Sequence, residues 1–466
     1  MINNITKFNE SIAKIDFFEA FSKSIDLKDL DIVKINFKNE GINNYSTRIK
    51  SNRLKVKLIE NHYEICVELK KSITTICDKC GSENLTLKDK VPQYYQMDKM
   101  LGLPTWMVYN RKQYRCGHCG HNVYLKCEDL GKSKYTSNLL LGIMDKLGQV
   151  KSRASISREY DVSKTLVTDV ADSLPEETIK LGPILCIDEF KGNLDSPDAK
   201  WKDKYQTILV DGRNRRIIDI LPTRQYADLV EYFIKIPLEE REKVEYCISD
   251  MSPIFIGVFK KVFPKAVIII DRFHYTRLIV EAFEDIRKSL QDNTRYKHLG
   301  IKKLHKLFLK HADEIEGEEC AEAREKLAKV FEKCPQLRQA YDILQEFYKF
   351  NQSSDRNVAR IKFAQLKQKI EKLEGYEQIK KAMRSIENKL KYILNSFLIS
   401  ETNSYAEGYN NFIKVLKRVS YGCKNLLRFK KRVMYIQSCT KEYHDKKIKN
   451  KDLVAKQNKE QLQKVA

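Results

Sequence analysis

Five short apolar runs, rich in β-branched residues, lie between residues 181 and 273 and constrain the fold more than any other feature. They read PILCIDEF, YQTILVDG, RRIIDILP, VEYCISD and AVIIIDRF. Runs of this length and composition are typical of buried β-strands. The second and third runs flank the turn Asp211-Gly212-Arg213-Asn214, which predicts a hairpin. The sequence therefore predicts a sheet of buried strands in this part of the chain.

Two C-x-x-C pairs precede this sheet, and each pair is followed by a glycine. They are Cys77 with Cys80 and Cys116 with Cys119. Two thiolates on one tight turn face the same ion, and two such turns complete the tetrahedral thiolate set of a structural Zn²⁺ site. The alternating segment TWMVYNRKQYRC predicts a ribbon strand between the pairs. We expect a zinc ribbon, with four unrelated buried cysteines as the alternative.

The cysteines also bear on the expected location. The chain shows no apolar stretch long enough to span a membrane, and its first residues lack the pattern of a signal peptide. We therefore expect a cytoplasmic protein with no membrane partner. In that compartment the 12 cysteines are expected to be reduced or bound to metal rather than paired in disulfides.

The net charge indicates the class of partner. The chain has 86 Lys and Arg residues against 63 Asp and Glu residues, a formal net charge of +23. A basic surplus of this size attracts polyanions, of which nucleic acid is the commonest. A lysine-rich surface that is merely solvated is the alternative. The charge favours a nucleic-acid partner.

Three short helical patterns follow the cysteine pairs. On the second predicted helix Ile156 and Tyr160 face inward, a turn follows, and Ser163 is placed to cap the third helix. This spacing is typical of a helix-turn-helix, and a plain helical linker domain is the alternative. The third helix is predicted to expose three residues to DNA: Lys164, Thr165 and Thr168.

Three acidic residues fit the requirements of metal-dependent phosphodiester chemistry. Such chemistry uses two divalent ions about 4 Å apart, held by carboxylates from different elements. Mg²⁺, or Mn²⁺ in its place, prefers oxygen ligands of this kind. Asp188 and Asp250 each close an apolar run, and Glu407 lies on a predicted helix. We expect these three residues to be the catalytic metal ligands; strand-end caps and a solvated glutamate are the alternatives.

The predicted helix around Glu407 has a polar stripe and an apolar side. Asn411 shares the polar stripe with Glu407, and the opposite side is predicted to be buried through Phe412, Leu416 and Val419. Basic residues on such a helix suit a phosphate backbone. We expect three of them to bind DNA: Lys414, Lys417 and Arg418.

Other acidic residues compete with this set. Glu189 follows Asp188 directly, and Asp271 ends the run AVIIID. We interpret Asp271 as a structural residue beside the site. His274, three residues further on, is predicted to lie near the scissile phosphate, and a buried, hydrogen-bonded histidine is the alternative.

The order of these motifs resembles that of the ISL-three-type family of bacterial insertion-sequence transposases. The matching segments are the two cysteine pairs, IDEF, ISDMSP, DRFH, NSYAEGYNNFIKVLKR and SYGCKNLLRFKKRV, within residues 75–435. The resemblance implies a ribonuclease-H-like catalytic core of mixed sheet and helices, interrupted before its last catalytic helix. It also implies a catalytic triad of the DDE type, formed by Asp188, Asp250 and Glu407.

The resemblance further implies a DNA transposase that binds terminal inverted repeats of an insertion sequence and acts as a dimer or larger assembly. Its partners would be element ends and target DNA, its cofactors catalytic Mg²⁺ (or Mn²⁺) and structural Zn²⁺, and its location the bacterial cytoplasm at the nucleoid. Two alternatives remain from other classes. One is a non-catalytic DNA-binding regulator derived from a transposase, and the other is a ribonuclease-H-like nuclease or resolvase.

The predicted fold class is α+β with several domains. The boundaries run as follows: 1–70, a lead-in of uncertain role; 71–130, a zinc ribbon; 131–178, a helix-turn-helix; 179–277, the first part of the catalytic core; 278–400, a helical insertion; 401–440, the last helical part of the core; and 441–466, a basic tail.

Overall fold

The computed structural model describes residues 30–38, 62–69, 76–124, 134–174, 178–195 and 204–440. The chain divides into two compact units, residues 1–175 with 442–466 and residues 176–441. Each unit contains a sheet and helices, so the prediction of mixed α and β structure is confirmed. Among the described residues, no helix has the length and apolar character needed to cross a membrane.

A mixed five-stranded sheet occupies the first unit, in the order β1-β2-β4-β3 with β5 beside β4. Strands β2 and β4 pair in parallel, and the other pairs are antiparallel. Thus the strands before the cysteine pairs and those around them share one sheet. Its strands are β1 (Leu30–Lys38), β2 (His62–Leu69), β3 (Leu85–Gln96), β4 (Thr105–Cys116) and β5 (Asn122–Tyr124).

The predicted ribbon strand TWMVYNRKQYRC is strand β4, and the alternating segment YEICVEL lies in β2. The side chains of Ile65, Val67 and Met107 are buried between these strands and their neighbours. The alternating pattern of LKVKLIE at residues 54–60 also predicts a strand, but these residues lie outside the described part of the chain.

Three short helices complete the described part of the first unit: α1 (Ser137–Leu147), α2 (Arg153–Tyr160) and α3 (Lys164–Asp172). Each begins at a hydroxyl residue whose side chain accepts a backbone N–H of the first turn, namely Thr136, Ser152 and the predicted cap Ser163. Ile156 and Val167 are fully buried, which packs the helices against one another.

All five apolar runs of the second unit form strands, as predicted, in the order β10-β9-β6-β7-β8. They are β6 (Ile184–Lys191), β7 (Tyr205–Asp211), β8 (Arg216–Leu221), β9 (Tyr246–Ser249) and β10 (Val267–Ile270). The predicted hairpin is confirmed, since β7 and β8 pair antiparallel and Asp211 faces Arg216. Strands β9 and β10 run parallel to β6.

Helices cover both faces of this sheet, and side chains that alternate along β6 enter two separate cores. Leu185 and Ile187 pack with residues of α4 (Tyr226–Ile234) and α6 (Pro253–Val262). The short helix α5 (Leu238–Arg241) lies between these two in sequence. Ile184 and Cys186 on the other face pack against helices from much later in the chain. This two-sided burial explains why the strands read as continuous apolar runs.

A helical region lies between β10 and the late helices. It comprises α7 (Arg272–Asp292), α8 (His305–Phe308), α9 (Ala321–Lys333), α10 (Pro335–Asn351), α11 (Arg356–Glu371), α12 (Glu377–Glu387) and α13 (Leu390–Leu394). Buried phenylalanines, including Phe283, Phe308 and Phe347, form its centre. A helical region was predicted from residue 278, and α7 starts six residues earlier because β10 continues into it without a loop.

Two helices close the second unit: α14 (Ser404–Val419), and α15 over residues 426–440. Ala406, Ile413 and Leu416 of α14 pack with Phe429 and Val433 of α15 on the face of the sheet that holds Ile184 and Cys186. The chain therefore brings a helix from near its C-terminal end onto the central strand β6.

Arg272 fastens the helical region to the end of β10. Its guanidinium donates to the carbonyl oxygens of Asn351 (3.1 Å) and Ser396 (2.8 Å). It also lies 4.4 Å from the ring centre of Phe397. One side chain therefore joins the start of α7 to the end of α10 and to the segment after α13.

We predict that Arg272→Met lowers the free energy of unfolding by about 2–4 kcal/mol, because two charge-assisted hydrogen bonds are lost and two carbonyl groups lose their partner. Urea unfolding of the full chain measures the change. Arg277→Met on the same helix is the control, since Arg277 is exposed and pairs with Glu281. Equal loss of stability in both variants would contradict the prediction.

Candidate functional site

Parallel pairing aligns three aspartates across the second sheet. On one face, β6, β9 and β10 present a row of neighbouring apolar residues: Cys186, Ile248 and Ile269. Side chains two positions apart on a strand point to the same face. The next row on this face, two residues further along each chain, therefore consists of acids: Asp188, Asp250 and Asp271.

Asp188 and Asp250 are in an environment that disfavours their charge. Burial raises the pKa of Asp188 to about 6, and the nearby Asp250 carboxylate acts in the same direction. The backbone N–H of Glu189 and the imidazole of His274 oppose this shift. Burial also raises the pKa of Asp250, opposed by the backbone N–H of Ser252 and by His274. Two neighbouring carboxylates held in this way form a site that a cation stabilises.

His274 lies in the first turn of α7 and is half-buried. It lowers the pKa of both Asp188 and Asp250 and therefore lies near these two carboxylates. Asp271 is buried, and its Oδ1 accepts the backbone N–H of Asn403 at 3.1 Å. The third aspartate of the row therefore already has a hydrogen-bond partner, at the start of α14.

Glu189, the competing acid, is held differently. Both of its carboxylate oxygens accept hydrogen bonds from Arg224, at 3.0 and 2.8 Å. The Arg224 guanidinium also lies 4.3 Å from the ring centre of Tyr205. Because strand residues alternate, Glu189 points to the opposite face of β6 from Asp188. Its charge is therefore already compensated.

Glu407 lies on α14 with an exposed side chain. Asn403 lies four residues before it and Asn410 three residues after it, and residues with these spacings are neighbours on the surface of a helix. In the described parts of the chain, no hydrogen bond or ion pair involves its carboxylate. The structure thus brings Asp188 and Asp250 together and places Glu407 on the helix that contacts Asp188.

The buried side of α14 differs from the predicted one. Leu416 is buried as expected, but Phe412 and Val419 are half-buried, and the buried stripe consists of Ala406, Asn410, Ile413 and Leu416. The prediction of this face was wrong because apolar periodicity cannot register a buried amide. Asn410, which the sequence analysis missed, donates through Nδ2 to Asp188 Oδ2 at 2.8 Å. The neighbouring Asn411, chosen instead, is exposed.

The predicted DNA-binding residues occupy two surfaces. On α14, Lys414 and Arg418 are exposed, while Lys417 is half-buried and burial lowers its pKa. On α3, Lys164 and Thr165 are exposed. Thr168 is half-buried rather than exposed, because its hydroxyl accepts from Arg153 (3.2 Å) and donates to the Lys164 carbonyl (2.9 Å).

The four paired cysteines converge in the first unit. All four sulfur atoms lie within 4.8 Å of one another, and the pairs Cys77–Cys119 and Cys80–Cys116 are each 3.6 Å apart. Four thiolates about 2.3 Å from a tetrahedral Zn²⁺ are about 3.8 Å from each other. The donor set and its spacing therefore fit a structural zinc ion.

The local backbone supports this cluster. Gly81 and Gly120 both have φ of +71°, a left-handed conformation that favours glycine at each turn. Backbone N–H groups of Cys119 and His118 lower the pKa of Cys116 to about 6. The N–H of Ser82 lowers the pKa of Cys80, but burial and the three other sulfurs outweigh it and raise that pKa to about 12. A bound cation would offset the electrostatic repulsion between these closely spaced thiolates.

His121 lies outside the sulfur set, 3.1 Å from Asp78 through Nε2. A cavity of about 470 Å³ opens next to the cysteine cluster. Its lining includes Lys88, Arg115 and Gly117. The described part of the first unit therefore combines the cysteine set with basic side chains.

Comparison with known proteins gives two matches. The family model of ISL-three-type transposases, whose description is "Transposase", matches residues 185–433. The transposase for insertion sequence element IS1001 of Bordetella parapertussis is 21% identical over 381 residues, which cover 75% of this chain and 86% of that protein. The family match includes the acidic row and helix α14.

We predict that Cys116→Ser reduces bound Zn²⁺ from about one ion per chain to near zero, because a hydroxyl does not replace a thiolate ligand. Zinc content of the purified full chain, measured by mass spectrometry, tests this. Cys439→Ser is the control, since Cys439 is half-buried in α15 and far in sequence from both pairs. Unchanged zinc in Cys116→Ser would contradict the assignment.

We also predict that Asp188→Asn stabilises the protein at pH 7.5 without Mg²⁺. The folded pKa of about 6 exceeds the ordinary 3.8, so the folded state binds this proton more tightly than the unfolded chain. Stability of about 3 kcal/mol is therefore lost as pH rises from about 4 to 6. The neutral amide recovers about 2 kcal/mol of it, because an NH2 group in place of one oxygen loses one of the two hydrogen bonds that Asp188 accepts.

Urea unfolding of Asp188→Asn and wild type at pH 7.5 and pH 4 tests this, in buffer without chelator so that the cysteine cluster keeps its ion. The difference in the free energy of unfolding between Asp188→Asn and the wild type should shrink towards zero at pH 4. The exposed Asp313→Asn serves as control. A destabilised Asp188→Asn at pH 7.5 would rule out a penalised charge at this position.

Proposed function

The chain belongs to the ISL-three-type transposase family, and from this premise we propose that it cleaves DNA at the terminal inverted repeats of an insertion sequence and joins the freed ends to target DNA. The observation that supports this chemistry most directly is the pair of half-buried carboxylates, Asp188 and Asp250, at the ends of neighbouring parallel strands. Among the described residues, neither carboxylate takes part in a salt bridge, so both are available to a cation.

The proposed metal ligands are Asp188, Asp250 and Glu407. Hard oxygen donors from two strands and one helix fit Mg²⁺, or Mn²⁺ in its place. The third position is assigned to Glu407 because α14 contacts Asp188 through Asn410, one helical turn away. Divalent ions at such a site activate the attacking oxygen and stabilise the leaving oxygen of an in-line displacement.

The protein's own groups then hold the DNA strand. Lys414 and Arg418 extend from the exposed side of α14 and bind phosphates on either side of the scissile bond, with Lys417 at their flank. His274, in the first turn of α7 and near the aspartates, orients the scissile phosphate. Water attacks in the cleavage step and the freed 3′-hydroxyl in the joining step, so no covalent protein–DNA link is needed.

The fold supports the finer assignment of a ribonuclease-H-like core. Three antiparallel strands, β6 to β8, are extended by the parallel strands β9 and β10, and α14 returns to the central strand after the helical region. We assign residues 179–277 and 401–440 to this core and 278–400 to its insertion.

The first unit is assigned to recognition of the element ends. The cysteine cluster, with a structural Zn²⁺, stabilises the ribbon over residues 71–130, and residues 131–178 act as a helix-turn-helix. Lys164 and Thr165 of α3 contact the DNA groove. Two ends must be cut together, so the acting form is a dimer or larger assembly. Its place of action is the bacterial cytoplasm at the nucleoid.

We predict that Asp188→Ala, Asp250→Ala and Glu407→Ala each reduce strand cleavage by about 1000-fold or more, since each removes a metal ligand. DNA binding by the first unit should persist. The test incubates purified protein and Mg²⁺ with linear DNA that carries the repeats flanking its own gene, and maps nicks and joined strands.

Glu281→Ala provides a control for the loss of an acidic residue, because Glu281 is exposed on α7 and pairs with Arg277. Cleavage without joining would identify a nuclease or resolvase instead. Binding with neither reaction in the wild type would identify a DNA-binding regulator. Normal cleavage by the Glu407→Ala variant would remove that residue from the ligand set.

A further inference from the structure

Asn410 makes a contact that apolar packing on α14 does not require. Its Nδ2 donates to Asp188 Oδ2 at 2.8 Å and lies 3.4 Å from the carbonyl oxygen of Glu189. The side chain is about 5% exposed and sits among Ala406 and Ile413 on the buried stripe of the helix. An amide at the centre of an apolar face therefore reaches the carboxylate of a proposed metal ligand.

The other half of the same amide has no hydrogen-bond partner among the described residues. Oδ1 of Asn410 is buried and accepts no hydrogen bond from the described residues. Native proteins rarely leave a buried acceptor unpaired, and such exceptions usually have a reason outside stability. The orientation of the amide is thus set by its donor, since the reverse orientation would oppose two oxygen atoms.

Both oxygens of Asp188 are held as a result. The backbone N–H of Glu189 donates to Oδ1 at 2.8 Å, and Asn410 donates to Oδ2 at the same distance. A carboxylate has about four lone-pair positions, so each oxygen keeps one for a further ligand. Two fixed hydrogen bonds restrict rotation of the carboxylate and leave its open lone pairs in defined directions.

We propose that Asn410 is a positioning residue, which orients Asp188 for divalent ions and sets α14 on β6 so that Glu407 is placed at the same site. The proposal rests on the proposed function, because it assumes that Asp188 binds a cation. Hydrogen bonds that orient ligand side chains commonly contribute 10- to 100-fold to metal affinity. Asn410 itself contacts neither DNA nor ion in this proposal.

The test compares three variants with the wild type in the full-length, zinc-loaded protein. Asn410→Leu keeps a branched side chain of the same number of heavy atoms but removes the donor, and Asn410→Ala removes both the donor and the branched group. Asn411→Ala is the matched control, an exposed asparagine one position further along the helix. The primary measurement is calorimetric titration with Mn²⁺ alone, and thermal unfolding is followed in parallel.

We expect Mn²⁺ affinity to fall 10- to 100-fold in Asn410→Leu and Asn410→Ala and to stay within about threefold in Asn411→Ala. Thermal stability of Asn410→Leu should stay close to that of the wild type, because removal of a buried unpaired acceptor offsets the loss of the hydrogen bond to Asp188. In cleavage assays, the Mg²⁺ concentration for half-maximal rate should rise in the same two variants while DNA affinity is unchanged.

Wild-type Mn²⁺ affinity in folded Asn410→Leu would overturn the proposal, as would a loss of stability without a loss of affinity, which marks a purely structural residue. Failure of the proposed function has a different signature. In that case Asp188→Ala also binds Mn²⁺ as the wild type does, which would refute the metal site and this proposal together.

Discussion

The second unit depends on one electrostatic constraint, the close approach of like charges at the end of a parallel sheet. Three neighbouring strands present aspartates at the same level, and of these Asp271 is buried while Asp188 and Asp250 are half-buried. Desolvation disfavours the charges of Asp188 and Asp250, so neighbouring groups must stabilise these two carboxylates. The means differ along the row: backbone N–H groups and His274 act on Asp188 and Asp250, and the start of α14 engages Asp271.

Much of this architecture was predictable because it follows from local pattern. Buried strands need continuous β-branched runs, and paired cysteines with glycine turns permit few arrangements, so both were identified from sequence. The caps of the short helices were equally local, as Ser163 shows. Parallel register could not be read in advance, since it depends on which strands become neighbours. Hence Asp271 was identified as adjacent to the site, but its alignment with Asp188 was not.

The errors have a common physical origin. Apolar periodicity assumes that buried positions are apolar, and α14 breaks this rule at Asn410, where a hydrogen bond to Asp188 offsets the cost of burial. Thr168 was expected on the surface, but a contact from Arg153 draws it into the helix interface. In both cases a polar partner on another helix or strand decides the orientation. Arg272 illustrates the same point, since both of its carbonyl acceptors lie more than 70 residues away.

The return of α14 to β6 has a consequence for how the chain is made. Asn410 is 222 residues from Asp188, so the strand that carries the first aspartate leaves the ribosome long before the helix that completes its surroundings. Contacts between such distant segments form late, whereas the cysteine cluster and short helices of the first unit depend on nearby residues. A partly synthesised chain can therefore fold its front unit while the surroundings of Asp188 are still incomplete, and the proposed metal site forms only after α14 has left the ribosome.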